Sequence, residues 1–159
     1  MSKTQKISPF LWYDSQAEEA ARHYVAAFKE SKINRVERYG KAGPGPEGQV
    51  MIVDFTLAGQ HYVALNGGPI FKPNESFSMM VTCEDQAEVD RLWTHLSEGG
   101  STSQCGWLKD RWGFSWQVVP KRFFEMMEDK DQARKGRVFA AMMQMTKFDL
   151  AALEKVNAA

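Results

Sequence analysis

The residues best placed to do chemistry lie in the stretch 105–120, Cys105-Gly106-Trp107-Leu108-Lys109-Asp110-Arg111-Trp112-Gly113-Phe114-Ser115-Trp116-Gln117-Val118-Val119-Pro120. Two aromatic-rich runs meet there at a Gly-containing turn, the pattern of a β-hairpin. Alternation sends Ser115, Gln117 and Val119 to one face of the second strand and Phe114, Trp116 and Val118 to the other. Gln117 is an amide among bulky neighbours; such a group faces a ligand cavity or sits at a barrel rim. Of the histidines, His23 and His95 fall on helical stretches, and His61 is assigned to a strand face turned toward a helix. On that assignment no Ser-His-Asp or Cys-His constellation forms, and neutral Tyr62, Thr82 and Gln117 are weak acid–base groups at neutral pH.

These residues are positioned by two copies of one pattern. Phe10-Leu11-Trp12-Tyr13 reads as a strand; Ser15-Gln16-Ala17-Glu18 has the form of a capping box, and Ala17, Ala20, Ala21, Tyr24 and Phe28 follow at helical spacing. The pattern returns in the β-prone run 77–83, the cap Asp85-Gln86-Ala87-Glu88 and the stripe Val89, Leu92, Trp93 and Leu96, which Gly99-Gly100 ends. Strands are expected over 33–39, 50–57 and 61–65 after the first helix, and near 101–105 and along the hairpin after the second. Each half then reads βαβββ, an internal duplication. We expect an α+β fold in one domain, residues 1–159, with module one at about 7–69, module two at about 76–120 and a helical tail at 121–159. Asp149-Leu150 opens its last helix, and the tail methionines are expected to fill core or a subunit contact.

Composition sets outer bounds. Twenty basic residues balance twenty acidic ones, which gives no electrostatic pull toward nucleic acid or an anionic membrane. No apolar run suggests a membrane span, and the polar opening Met1-Ser2-Lys3-Thr4-Gln5-Lys6 lacks a secretory signal, so a cytoplasmic protein is expected. Cys83 and Cys105 lack metal-ligand spacing and are read as small hydrophobes without a disulfide.

Two βαβββ modules with the strings Phe10-Leu11-Trp12-Tyr13-Asp14, Leu65-Asn66-Gly67-Gly68-Pro69, Cys105-Gly106-Trp107-Leu108 and Ser115-Trp116-Gln117-Val118-Val119-Pro120 resemble the PhnB-like branch of the glyoxalase/bleomycin resistance/dioxygenase (vicinal oxygen chelate) superfamily. The resemblance runs from Ile7 to Leu153. It implies curved sheets forming a half-barrel or barrel, with metal ligands on the first and last strand of each module. Those positions fall on Ser8, Ala64, Ser78 and Gln117, of which only Gln117 keeps a ligand-like oxygen, too little for a divalent cation. The resemblance also brings a ubiquinone-precursor methyltransferase label. A doubly wound methyl-donor site needs a strand, a Gly-rich turn and a helix, whereas Gly43-Pro44-Gly45-Pro46 leads into another strand and reads as a surface loop or lid.

With the ligand positions on the cavity face, that face comprises Ser8, Phe10, Trp12, Tyr62, Ala64, Asn66, Ser78, Met80, Thr82, Ser115, Gln117 and Val119. Phe10, Trp12, Tyr62, Asn66, Ser78, Met80 and Gln117 are the expected ligand contacts, suited to a small, partly apolar organic molecule. The leading expectation is a small-molecule-binding protein without catalytic metal or cofactor, paired as a homodimer. The alternatives are an enzyme of the vicinal oxygen chelate type with a weak metal held by Gln117, and a structural protein whose barrel has collapsed on itself. Trp116 is expected in the core, and Lys109-Asp110-Arg111 as a solvated hairpin tip.

Overall fold

The computed structural model describes residues 5–159, and the opening residues 1–4 on which the absence of a signal was partly read lie outside it. The chain divides into two compact units, Met1–Pro73 and Asn74–Ala159. The first contains β1 (Phe10–Tyr13), α1 (Ala17–Ala27), β2 (Lys32–Arg38), β3 (Val50–Leu57) and β4 (Gln60–Asn66). These strands form a mixed sheet in the order β1-β4-β3-β2, with β1 parallel to β4 and the other pairs antiparallel. The second unit repeats the plan with β5 (Ser78–Cys83), α2 (Gln86–Ser97), β6 (Ser101–Thr102), β7 (Trp107–Lys109) and β8 (Ser115–Pro120), in the order β5-β8-β7-β6. The fold is α+β, as the duplicated sequence pattern implies, and each sheet is open rather than closed on itself.

Local chemistry explains the elements. Ala17, Ala20, Ala21, Tyr24 and Ala27 are buried on one side of α1, and so short a stripe lets the helix settle close to the sheet, over Leu11, Tyr13, Val53, Phe55 and Leu57. Ala58 and Gly59, at φ 46° and 77°, make the two-residue turn between β3 and β4, a geometry matched to strand twist. Asp85 accepts the amide of Glu88 at 2.8 Å, and the Glu88 carboxylate accepts that of Glu84 at 2.7 Å, so the second helix is boxed as its sequence suggests. The first is not. Its cap is Gln16, without a side-chain cap bond, and the Ala17 amide is met by Asn66 Oδ1 of β4 at 2.8 Å.

The helical tail comprises α3 (Lys121–Met127), α4 (Gln132–Met142) and α5 (Leu150–Asn157) and belongs to the second unit. The Gln86 amide latches it: Nε2 donates to Phe148 O at 2.9 Å while Oε1 accepts the amide of Leu150 at 2.8 Å. Phe148 is buried against Phe123 and reaches Gly106, where an added Cβ would lie 2.7 Å from its ring and 2.8 Å from Val118 O. Met126 and Met142 are core residues, whereas Phe139 and Met143 remain exposed.

The hairpin tip differs from expectation. Asp110 is not solvated but 3% exposed. Its Oδ1 accepts the amides of Trp112 and Phe114, both at 3.0 Å, and its Oδ2 accepts the Trp116 indole N–H at 2.9 Å. A carboxylate withdrawn from water is stable only when its oxygens are so engaged, and here the hairpin's own donors engage it. Trp116 is thereby fixed in the core at 2% exposure. Trp12 is half-buried and holds a loop: its indole N–H donates to Gly68 O at 2.9 Å, its ring meets Phe71 edge-on at 5.0 Å, and Gly67 lies so close that a Cβ would fall 2.2 Å from the ring. Trp116→Ala should therefore cost about 3 to 5 kcal/mol, and Trp12→Ala distinctly less. Chemical denaturation of the two variants reads the order directly, and a larger loss for Trp12→Ala would contradict this assignment.

Candidate functional site

Each sheet has a face away from its helix, and strand register decides which side chains stand on it. In the second unit Ser78 pairs with Ser115, Met80 with Gln117, Thr82 with Val119, Trp107 with Gln117 and Lys109 with Ser115. Met79, Cys83, Leu108, Trp116 and Val118 are buried on the helix side. Ser78, Met80 and Gln117 thus stand together on the open face, where Gln117 Nε2 donates to Ser78 Oγ at 2.9 Å. Burial pushes the Cys83 thiol up to about 12, which leaves it an inert packing group.

Beside these residues a groove of about 610 Å³ is lined by Trp107, Lys109, Cys105, Ser103, Glu75 and Ser115 among others, with Lys109 ion-paired to Glu75. Ser115 is 1% exposed, and its Oγ makes no hydrogen bond among the described residues. A buried hydroxyl without a partner forfeits its hydration for nothing in return.

The first unit corrects the expected cavity face. Leu11 pairs with Ala64 and Tyr13 with Asn66, while Val53 pairs with Ala64 and Phe55 with Tyr62. Tyr62, Ala64 and Asn66 therefore share the helix-covered face, and Phe10, Trp12, His61, Val63 and Leu65 share the open one. Tyr62 stacks on Phe55 at 5.6 Å between ring centroids, and burial raises its hydroxyl pKa. Asn66 is consumed structurally, since beyond its bond to Ala17 it donates to Val50 O at 3.0 Å and its own carbonyl accepts the Tyr39 hydroxyl at 2.5 Å. Phe10 is 58% exposed on the open face. The loop 40–48 wraps the Tyr39 ring, which lies under Gly43 and Gly45, and joins two antiparallel strands, so it forms no strand-turn-helix phosphate or methyl-donor motif.

The same correction brings together a group that sequence reasoning missed. His61 is on the open face, with Nδ1 2.7 Å from Ser8 Oγ and Nε2 2.9 Å from Asp54 Oδ1. Asn34 Nδ2 donates to the same carboxylate oxygen at 2.8 Å and to Thr56 Oγ1 at 3.0 Å. Burial alone would push the Asp54 carboxyl up, but hydrogen bonds from Asn34 and His61, the charge His61 carries when its imidazole is protonated, and the charge of Arg35 outweigh it and hold the pKa below the ordinary carboxylate value.

Aligning the repeats on Gln16-Ala17-Glu18 and Gln86-Ala87-Glu88 sets Ser8 against Ser78 and Phe10 against Met80. The strand registers then set His61 against Ser115 and Val63 against Gln117. Each module so carries a serine at or just before its first strand bonded to a side chain of its last strand, histidine in one and glutamine in the other.

A divalent cation needs several convergent anionic or imidazole donors, and no three His, Cys, Asp or Glu side chains come together for one among the described residues. Both ring nitrogens of His61 are already engaged, and the Gln117 amide is bonded to Ser78. This donor set does not fit the metal that the superfamily pattern would place here.

A family model described as 3-demethylubiquinone-9 3-methyltransferase matches residues 5–119. The chain belongs to this family. Among solved structures, a PhnB protein of Bacillus cereus described as a 3-demethylubiquinone-9 3-methyltransferase is 34% identical, with 73% of this chain and 99% of that one covered at a TM-score of 0.68. A Pseudomonas aeruginosa protein, 21% identical, shares the fold at a TM-score of 0.62, covering 74% of this chain and 98% of its own. No curated protein matches the chain. The duplicated α+β architecture is the one expected from the PhnB-like resemblance.

The depressed Asp54 pKa makes a stability prediction. A carboxyl whose pKa is lower folded than unfolded stabilises the fold above the unfolded value and loses that contribution as pH falls through the folded one. The stability advantage of wild type over Asp54→Asn should be complete at neutral pH and fade below about pH 4, read from urea midpoints across an acid series.

Proposed function

We propose that this PhnB-like protein binds a small, partly apolar organic molecule on the open face of its second sheet and uses no tightly bound catalytic metal. The observation that carries this reading is Ser115, whose buried hydroxyl has no partner among the described residues and borders the 610 Å³ groove. The missing partner is supplied by the ligand. Trp107 offers an aromatic wall, Lys109 and the hydroxyls at the groove edge fix polar ends, and Ser78, Met80 and Gln117 extend the surface. Phe10 belongs to the first sheet and is no part of this groove; Trp12 serves chiefly its loop, and Tyr62 and Asn66 leave the set because the helix covers them.

We further propose a cytoplasmic homodimer. Unpaired Cys83 and Cys105 support a reducing setting, and exposed Phe139 on α4 and Met143 at its C-cap offer apolar contact area. Among the described residues no helix is long and apolar enough to cross a membrane.

Calorimetric titration of thioesters, quinones and glutathione adducts tests the binding site. A compound bound by wild type should bind on the order of tenfold more weakly to Trp107→Ala and to Ser115→Ala, while Ser115→Ala is neutral or up to about 1 kcal/mol more stable because an unsatisfied buried hydroxyl is gone. Undiminished affinity in both variants contradicts the site, and one tightly held metal per chain by elemental analysis contradicts the metal-free reading. Sedimentation at micromolar concentration should give a dimer that Phe139→Glu with Met143→Glu converts to monomer; a wild-type monomer refutes pairing.

A further inference from the structure

We propose that Ser8, His61 and Asp54 form a nucleophile relay on the open face of the first sheet that accepts acyl groups from activated esters and thioesters, a site separate from the groove of the second unit. The inference follows from donors and acceptors. An ionised carboxylate can only accept, so the 2.9 Å contact makes His61 Nε2 the donor to Asp54. Neutral imidazole then has its lone pair on Nδ1, and at 2.7 Å the Ser8 hydroxyl is the donor to it. The hydroxyl proton thus already points at a base whose tautomer is fixed from behind, the arrangement that activates a serine. The low carboxyl pKa of Asp54 keeps that orienting group charged, and the Asn34 amide at 2.8 Å holds it in place. Arg35 is the neighbour of Asp54 across β2 and β3, with its guanidinium 2.7 Å from Glu37.

The surroundings suit an acyl group. Phe10, two residues along the same face from Ser8, is exposed and pairs with Val63, giving an apolar rest for the acyl chain. Gln5 Nε2 lies 3.4 Å from Ser8 Oγ but gives its hydrogens to Ile7 O at 2.8 Å and to His61 O, so it borders the nucleophile without supplying an oxyanion donor. The Gln5 side chain is itself held against β4, accepting the His61 amide at 2.9 Å and donating to His61 O at 3.1 Å.

In the step, Ser8 Oγ attacks the acyl carbon and a new C–O bond forms. The hydroxyl proton passes to His61 Nδ1, the bond to the leaving alkoxide or thiolate breaks, and the same proton goes to that leaving group. Water then attacks the seryl ester with His61 again as base, releasing the carboxylic acid and restoring the hydroxyl.

The test uses the full chain and para-nitrophenyl acetate. Wild type should release para-nitrophenolate and, after acid quench, carry an acetyl group on the peptide containing Ser8. Ser8→Ala should lose both, and His61→Gln should slow acetylation by on the order of a hundredfold with an unchanged circular dichroism spectrum. Ser8→Cys, which keeps a nucleophile, should be acetylated at the same position. Acetyl found only on lysines, or wild type and His61→Gln reacting at one rate, would overturn the relay.

Discussion

In each module the first and last strands run side by side in parallel, and that pairing is the constraint on which the candidate chemistry rests. Parallel neighbours cannot be joined by a tight turn, so a helix and two further strands must intervene before β4 returns to β1 and β8 to β5. The crossover helix then covers one sheet face, leaving the other for side chains that need solvent or a ligand. Ser8 meets His61, and Ser78 is reached by Gln117 from two residues beyond its register partner Ser115, because parallel pairing brings the start of the module alongside its close. Residues 53 positions apart in the chain are in hydrogen-bond contact for that reason.

Much of the scaffold was legible because local and non-local signals agreed. The Asp85–Glu88 box, the alanine stripe of α1 and the strand-helix strings of both repeats each point to the element that forms. The face of β4 was not read correctly, and the reason is physical. His61-Tyr62-Val63-Ala64-Leu65-Asn66 has apolar groups on both sides, so period-two alternation cannot set its phase. A signal was nevertheless present one turn upstream. In β3 the apolar Val53, Phe55 and Leu57 alternate with Asp54 and Thr56, and the two-residue turn at Ala58-Gly59 forces Phe55 opposite Tyr62 and Val53 opposite Ala64. Propagating phase through that turn places His61 beside Asp54, whereas matching β4 to a ligand position places it on the wrong side.

Asp110 shows a second kind of misreading. Between Lys109 and Arg111 it resembles one charge of a solvated tip, and composition alone favours that view. The spacing Asp110-Arg111-Trp112-Gly113 says more: Gly113, at φ 91°, lets the chain fold back so that the amides of Trp112 and Phe114 converge on the carboxylate. Two backbone donors and an indole N–H then make burial tolerable, and the same contacts lock Trp116 under the helix. The charged residue is a structural member of the core, while Arg111 stays exposed and half-buried Lys109 pairs with Glu75.

The duplication separates what a fold supplies from what side chains decide. Backbone register brings the start of each module beside its last strand on the open face, with the helix on the far side, so that Ser8 reaches His61 directly and Ser78 reaches Gln117 two residues beyond its register partner Ser115. In the second module the serine's hydrogen-bond partner is a neutral amide, and a bond between hydroxyl and amide orients without moving a proton. In the first it is an imidazole backed by a carboxylate whose charge is maintained by Asn34 and by His61 itself. The difference in chemical capacity comes from the last strand and its antiparallel neighbour: His61 beside Asp54 in one module, Gln117 beside Trp107 in the other. A likeness of fold to other members of the family therefore carries the strand adjacency from one chain to the next, and the chemistry must be read from the few side chains that stand at it.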